Sequence, residues 1–425
     1  MEFKMEKGKM LKCFLPFNEL TVYTKNKGII TSPCCKISSP VTVGQITKIK
    51  KELHSIDKNA PKECNYCWNV EEQGLTSWRM YEGNIPEKWK NVNLLKHPRG
   101  KLIQFLKLAF DNTCDCACIY CDTHNSSIWN KEVGDNSKHV EQLLPYPDIY
   151  ENLPSGNNNI NTQIKWVKDF LEKTGSEIHK YEDYFNIAFL GGEPFLSPAL
   201  RNGKFIEYID SFYKHVPHDF CLIYEFNTNC NTPTSLIDKN LKLIEQYKDK
   251  YINSTPKIIL SGESYGKALE YIRYGTNHMQ YMENIEKYIS KPWLQISLNL
   301  SMNAFSMPSL HKYLKFIFDL CKKYDKKIGL TPGCVYKPKG LHPCVLPNTN
   351  EIKQYVDDAL NNIDINYINE HTSVDNINNV LNNLKEGFGL QDHLLPELKN
   401  YVKYVKIVRK QNIKDFIPEL QFLDD

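Results

Sequence analysis

Hydrophobic positions change their period along this 425-residue chain. In the first hundred residues the apolar runs are short. Leu20-Thr21-Val22-Tyr23-Thr24 alternates as a half-buried strand does, Lys27-Gly28 reads as a hairpin turn, and Ile29-Ile30-Thr31 reads as the returning strand. A helix is expected over Val43–Leu53, and Pro61-Lys62-Glu63 breaks the chain before Cys64. From Lys101 onward, strand-like runs alternate with stripes at helical spacing. The expected strands are Leu102–Phe110, Phe185–Leu190, Leu222–Phe226, Lys257–Leu260, Leu294–Leu300 and Lys327–Thr331. Between them lie stripes such as Ile164, Val167, Phe170 and Leu171, or Leu310, Leu314, Ile317 and Phe318. The polar stretch Asp135–Asn161 reads as an exposed loop. From Asn348 the chain is helical and polar, with Leu394, Leu398, Val402, Tyr404 and Val405 as its one clear apolar face.

Six strand–helix units with right-handed crossovers predict an α/β fold, a partial (β/α)6 TIM-like barrel rather than a closed eight. The expected organisation is an N-terminal Cys-rich domain over 1–100, the barrel over 101–347 and a helical C-terminal cover over 348–425. Chemistry-bearing residues fall at the C-terminal ends of successive strands. They are the cysteine loop after Phe110, Gly191-Gly192-Glu193-Pro194, Asn227-Thr228-Asn229 and Ser261-Gly262-Glu263. In barrels of this kind that face carries the active site.

Composition narrows the picture. The balance of 53 basic and 50 acidic residues, net +3, gives no reason to expect nucleic acid or an anionic membrane as partner. Met1–Lys12 is too rich in Lys and Glu for a signal-peptide core, and no run is long enough to span a bilayer. The expected compartment is the cytoplasm, where thiols stay reduced. The 14 cysteines then read as metal ligands and core residues, and nine of them lie at or before Cys121. Cys114, Cys118 and Cys121 form a C-x3-C-x2-C run, which can hold one iron–sulfur cube and leave one iron open; zinc sites draw on the same residue types. Cys13, Cys34 or Cys35, Cys64 and Cys67 could close a four-thiolate site, either a zinc ribbon or a second cluster. Cys321, on a helical apolar stripe, is expected in the core. Cys334 and Cys344 follow the last strand, near where a substrate would lie.

With these motifs in place, the sequence resembles the radical S-adenosylmethionine (SAM) superfamily, and within it the subgroup with a twitch or SPASM-type auxiliary-cluster domain. The cysteine loop with Tyr120 before its last cysteine, and Gly191-Gly192-Glu193-Pro194, are similar to that superfamily's cluster loop and "GGEP". Cys121–Trp129, Leu260–Glu263 with Tyr271-Ile272-Arg273, and the closing Arg409-Lys410-Gln411-Asn412…Phe416–Leu420 resemble further segments of the subgroup. The sequence departs from the pattern at Gly262 and Glu263, where Asp-Gly is commoner, and at Cys116, an extra thiol in the loop. Its auxiliary domain also precedes the barrel, whereas SPASM domains usually follow it.

The resemblance implies roles. Cys114, Cys118 and Cys121 would ligate a [4Fe–4S] cluster whose fourth iron is chelated by SAM, and Tyr120 would lie against the adenine. The backbone of Gly191 and Gly192 would allow close approach of the methionine moiety, with Glu193 accepting hydrogen bonds from its ammonium, and Pro194 is a further candidate for SAM binding. Asn229 and Ser261 are candidates for the ribose or methionine end, Arg273 for the SAM carboxylate, and Glu263 is a further candidate for SAM binding. Reduction by a flavodoxin- or ferredoxin-type donor would cleave SAM to a 5′-deoxyadenosyl radical, which abstracts a hydrogen atom from a peptide or protein side chain. Cys13, Cys34, Cys35, Cys64 and Cys67 would supply a second, auxiliary [4Fe–4S] cluster. The competing readings are a small-molecule or RNA substrate for the same chemistry, and a non-catalytic iron–sulfur or zinc protein. A non-catalytic carrier has no use for the Gly-Gly-Glu segment.

Overall fold

Alternating burial is what turns the short apolar runs into strands. A computed structural model describes residues 13–25, 28–32, 34, 43–53, 61, 64, 67–68, 88, 94, 96–144 and 160–424. Its strands are β1 Glu19–Lys25, β2 Gly28–Ser32, β3 Phe105–Ala109, β4 Ala117–Cys118, β5 Tyr184–Leu190, β6 Cys221–Thr228, β7 Ser254–Ser261, β8 Arg273–Tyr274, β9 Gln295–Met302 and β10 Gly329–Cys334. Eight of them form one sheet in the order β10-β9-β7-β6-β5-β3-β1-β2. Every neighbouring pair is parallel except β1–β2. The sheet curls into a half-barrel, as the alternation of strands and helices predicts.

The strand count differs from the sequence reading. Six expected strands are β3, β5, β6, β7, β9 and β10, and β1 adds a seventh parallel strand, in register from Glu19 opposite Phe105 to Tyr23 opposite Ala109. Glu19 and Lys107, adjacent across these strands, form an ion pair at 2.7 Å, and Val22 enters the barrel core. The pairing joins segments some 85 residues apart, so no local pattern announces it. The hairpin assigned to the first hundred residues is therefore an extension of the barrel sheet.

Arg99 fixes the passage between the two. Its guanidinium is fully buried, bonded to Glu182 through Nε, to the Phe17 and Leu102 carbonyls at 3.0 and 3.2 Å, and to Asn18 Oδ1 at 2.5 Å. Lys88 also reaches Glu182, at 2.7 Å. Hydrogen bonds to charged groups contribute more than neutral ones, and a buried partner left behind is costly. With Lys88 still balancing Glu182, Arg99→Met is expected to lower stability by about 2 kcal/mol, read as a shifted urea midpoint at constant slope.

Two more expectations need correction. The stretch read as loop over Asp135–Asn161 is helical over Ser137–Leu143, because Val140, Leu143 and Leu144 reach the core from an otherwise polar segment. Residues 145–159 lie outside the described residues. The C-terminal part has apolar faces beyond the one read from sequence. Helices Asn350–Asn361 and Val374–Gly387 bury Ile352, Val356 and Ala359, and Ile377, Leu381 and Leu384. In each helix those three buried apolar positions are set among Asn and Asp, which leaves a weak periodic signal. Among the described residues no helix is long and apolar enough to cross a membrane.

Candidate active site

The C-terminal end of β3 delivers the cysteine loop, and the loop is held from both sides. On its outer side, Ser126 caps the helix Ser127–Asp135 by accepting from Trp129 N at 3.1 Å, and its hydroxyl donates to the Cys116 carbonyl at 2.6 Å. Ser127 Oγ lies 3.2 Å from both the Cys114 amide and carbonyl. Trp129 Nε1–H donates to the Cys118 carbonyl at 2.6 Å. Cys118 itself sits in β4, whose only partner among the described residues is β8, so Ala117 faces Tyr274 and Cys118 faces Arg273.

On its inner side the loop is stitched to the turn after β5. Gly192 N donates to Asp111 O at 3.2 Å and Glu193 N to Thr113 O at 2.7 Å. Gly191 has φ +110°, where a side chain is strained, and a Cβ on Gly192 would lie 2.2 Å from the Thr113 carbonyl oxygen. The approach these glycines permit in the structure is to the cysteine loop itself. Because Gly192 meets backbone, Gly192→Ala is expected to displace the loop and cost about 2 kcal/mol. A lowered melting temperature, together with faster alkylation of Cys114 and Cys121, would register it.

Glu193 is buried, its carboxylate accepting from Asn229 N at 2.8 Å, from Thr228 Oγ1 at 3.0 Å and from Phe195 N at 3.2 Å. Burial, with Asp115 and Cys114 adding repulsion, pushes its pKa up to about 8. Asn229 joins β6 to the loop: its side-chain amide donates to Asp115 Oδ1 at 2.6 Å and lies 3.5 Å from the sulfurs of Cys114 and Cys116. Asn231 Nδ2 reaches the other Asp115 oxygen at 3.2 Å. Asp115 and Asn231 were not singled out by sequence; the Asn229-Cys230-Asn231 repeat at spacing two was the available signal.

A second buried group faces the loop. Arg273 clamps Glu263 with Nε at 3.0 Å and Nη2 at 2.7 Å, and Tyr120 Oη donates to both Glu263 oxygens at 3.2 Å. Burial opposes the Arg273 charge, but Glu263, Tyr120 and Cys118 outweigh it and hold its pKa well above the ordinary value. Ser261 donates to Asn227 at 2.9 Å and offers its carbonyl to Tyr281 at 3.1 Å. A Cβ on Gly262 would come within 2.0 to 2.2 Å of the Tyr313 and Tyr281 hydroxyls, so the packing there requires glycine.

The thiols differ. Cys116 is buried with its sulfur 3.3 Å from Thr276 Oγ1, and its hydrogen bond to Cys114 lowers the Cys114 pKa. Burial pushes the Cys118 thiol up to about 12 and that of Cys121 well above the ordinary range, and the Cys114, Cys118 and Cys121 charges repel one another. Three thiolates here need a positive partner, which iron supplies, so the donor set fits a cluster. Among the described residues no group of three or more His, Cys, Asp or Glu is drawn together for a single metal ion. A cube spreads its ligands more widely than one ion does.

Of the N-terminal thiols, Cys13, Cys34 and Cys67 are buried and Cys64 partly so; Cys13, Cys34 and Cys64 pack in one small cluster with Leu15, Ile49 and Leu53. Cys35 lies outside the described residues. Pro194 follows Glu193 on the same turn, while Cys321 is core, as expected. Cys334 and Cys344 both lie past β9 at the barrel's last strand end, where burial raises their thiols to about 12 and about 11.

No protein-family model matches the chain, and no curated protein matches it. Among solved structures it is similar to native anSMEcpe with bound AdoMet, at 14% identity over 61% of this chain and 59% of that one, TM-score 0.36. It is likewise similar to a histidine-tagged form of anSMEcpe with bound AdoMet, at 14% identity over 61% and 56%, TM-score 0.37. The chain thus spans under two thirds of the length of either neighbour.

Proposed function

We propose that this chain is a radical SAM enzyme. The observation that supports it is the meeting, at one end of the half-barrel, of the C-x3-C-x2-C loop with a buried Glu193 carboxylate and a buried Glu263–Arg273 pair. In this reading Cys114, Cys118 and Cys121 hold a [4Fe–4S] cluster, and SAM completes it. When bound, the two supply one-electron reduction of a sulfonium and thereby a hydrogen-atom acceptor next to the substrate.

The chain's own residues then bind and orient. Glu193 is a hydrogen-bond acceptor for the SAM ammonium, a charge-assisted contact that favours its ionised form. Asn229 and Asp115 fix the segment between Cys114 and Cys118, so the loop does not rearrange as the ligand binds. Glu263 holds the Arg273 fork still, leaving its remaining N–H groups for the ligand's carboxylate, and the Tyr120 ring lies beside them, its centre 5.8 Å from the guanidinium. Burial of these groups keeps water from the reacting centre.

A peptide or protein side chain is the substrate class we assign, resting on resemblance to the auxiliary-cluster subgroup. The N-terminal thiols would hold the second cluster, and a flavodoxin- or ferredoxin-type protein would deliver the electron. The test is anaerobic reconstitution with iron and sulfide, then SAM and dithionite. Release of 5′-deoxyadenosine is expected, with roughly seven to eight irons per chain if both clusters form. Absence of 5′-deoxyadenosine from an iron-loaded protein would overturn the assignment.

A further inference from the structure

The closing segment Arg409–Leu420 has no part in SAM binding as proposed, yet its first residue lies against the support of the cysteine loop. A π-helical turn over Val405–Arg409 ends at Lys410, which has a positive φ of 58°. The turn brings Arg409 under the loop. Its guanidinium lies between two rings, 4.7 Å from the centre of Trp129 and 4.8 Å from that of Tyr274. Both rings belong to the loop's support: Trp129 holds the Cys118 carbonyl, and Tyr274 is the cross-strand neighbour of Ala117 in the β4–β8 ladder.

That ladder is two residues long, and two short strands alone are marginal in water. Something must back it, and Arg409 occupies that place. Its Nε donates to Glu132 at 3.1 Å, and Tyr404 Oη donates to the same oxygen at 2.8 Å. Both terminal nitrogens of Arg409 are buried and reach no acceptor among the described residues. The guanidinium is thus paired with the Glu132 carboxylate through Nε, and its other side lies between the rings without a hydrogen-bond acceptor.

We propose that Arg409 is a positioning residue of the cysteine loop: it clamps the β4–β8 ladder that carries Cys118 and sets a buried positive charge behind that ligand. The proposal rests on the radical SAM reading for its electrostatic half and on the apo fold for its mechanical half. A fixed cation stabilises the more negative, reduced cluster and so raises its midpoint potential. Arginine's flat fork stacks on both rings, whereas lysine keeps the charge and loses the stacking.

Arg409→Gln and Arg409→Lys separate the two halves. In apo-protein, hydrogen exchange at Ile119, whose N–H donates to Ile272 O at 2.7 Å, is expected to quicken about tenfold in Arg409→Gln, with β6 unchanged. In reconstituted protein, an EPR-monitored redox titration is expected to give a lower midpoint for Arg409→Gln and a midpoint near that of the parent for Arg409→Lys. Unchanged exchange at Ile119 would overturn the clamp. Equal midpoints in parent and Arg409→Gln, or equal lowering in both variants, would overturn the charge. Should Arg409→Gln lose β6 protection as well, Arg409→Lys decides: parent midpoint with quickened Ile119 exchange supports the proposal, and any other result rejects it. If the parent protein takes up no iron, the radical SAM reading fails by itself, while the exchange measurement still decides the clamp.

Discussion

Alanine at Cys114, Cys118 or Cys121, one at a time, is expected to abolish SAM cleavage, whereas Cys116→Ala is expected to retain most of it. The contrast follows from where the four sulfurs lie. Cys116 points into the β8 side of the loop, 3.3 Å from Thr276 Oγ1, and its backbone carbonyl is held by Ser126. Cys114, Cys118 and Cys121 have thiols that repel one another as anions, and burial holds Cys118 at about 12. Removing one of three ligands from a cube opens a second iron, and the affinity of the rest falls with it. The loss should appear first as iron content of the reconstituted protein, then as 5′-deoxyadenosine below about one hundredth of the parent rate, about 3 kcal/mol of transition-state stabilisation. Cys116→Ala removes the hydrogen bond that lowers the Cys114 pKa, so iron uptake near neutral pH should slow while the final content stays at the parent level. Full activity in any of the three single mutants, or complete loss in Cys116→Ala, would reassign the ligands.

Much of this site was legible before any coordinates, and the limit is physical. Strands with a period-two pattern and polar residues at their C-terminal ends identify the barrel, because burial on a pleated face is a local demand. The Cys, Gly-Gly-Glu, Asn-Thr-Asn and Ser-Gly-Glu segments meet because equivalent strand ends must converge. What sequence could not show are contacts whose partners are far apart and short. β1 pairs with β3 across some 85 residues, and the β4–β8 ladder needs only two residues from each side. Gly262 looked like a departure from pattern until Tyr281 and Tyr313 were found over it. Arg273 is expected from sequence to face a carboxylate, but its buried partner Glu263, ten residues upstream, which takes Nε and Nη2, is a contact that the sequence does not announce. Arg409 shows the same limit, since its Glu132 partner lies 277 residues away.

Glu193 supplies the second large effect, and its sign is set by burial. Its folded pKa of about 8 lies above the ordinary 4.5, chiefly because burial disfavours the anion and then because Asp115 repels it. The folded chain therefore keeps this proton between those values while the unfolded chain releases it. Stability is full below pH 4.5 and falls as pH rises towards 8, at up to about 1.4 kcal/mol per unit. From about pH 5.5 to 8 the parent protein should lose about 3 kcal/mol through this group. Glu193→Gln cannot ionise, so its stability should lack that component, whatever constant offset arises from an amide facing the Asn229 and Phe195 N–H groups. Urea unfolding of both proteins at the two pH values isolates the difference, because every other titrating group is shared. Identical pH dependence in the two would mean that Glu193 is ionised when folded. A cation at the carboxylate, such as the SAM ammonium, favours the anion and lowers this pKa. Ligand binding should therefore flatten the parent's pH dependence while leaving that of Glu193→Gln unchanged. The carboxyl that weakens the empty fold at neutral pH is, on this account, the one prepared to become an anion when its ligand arrives.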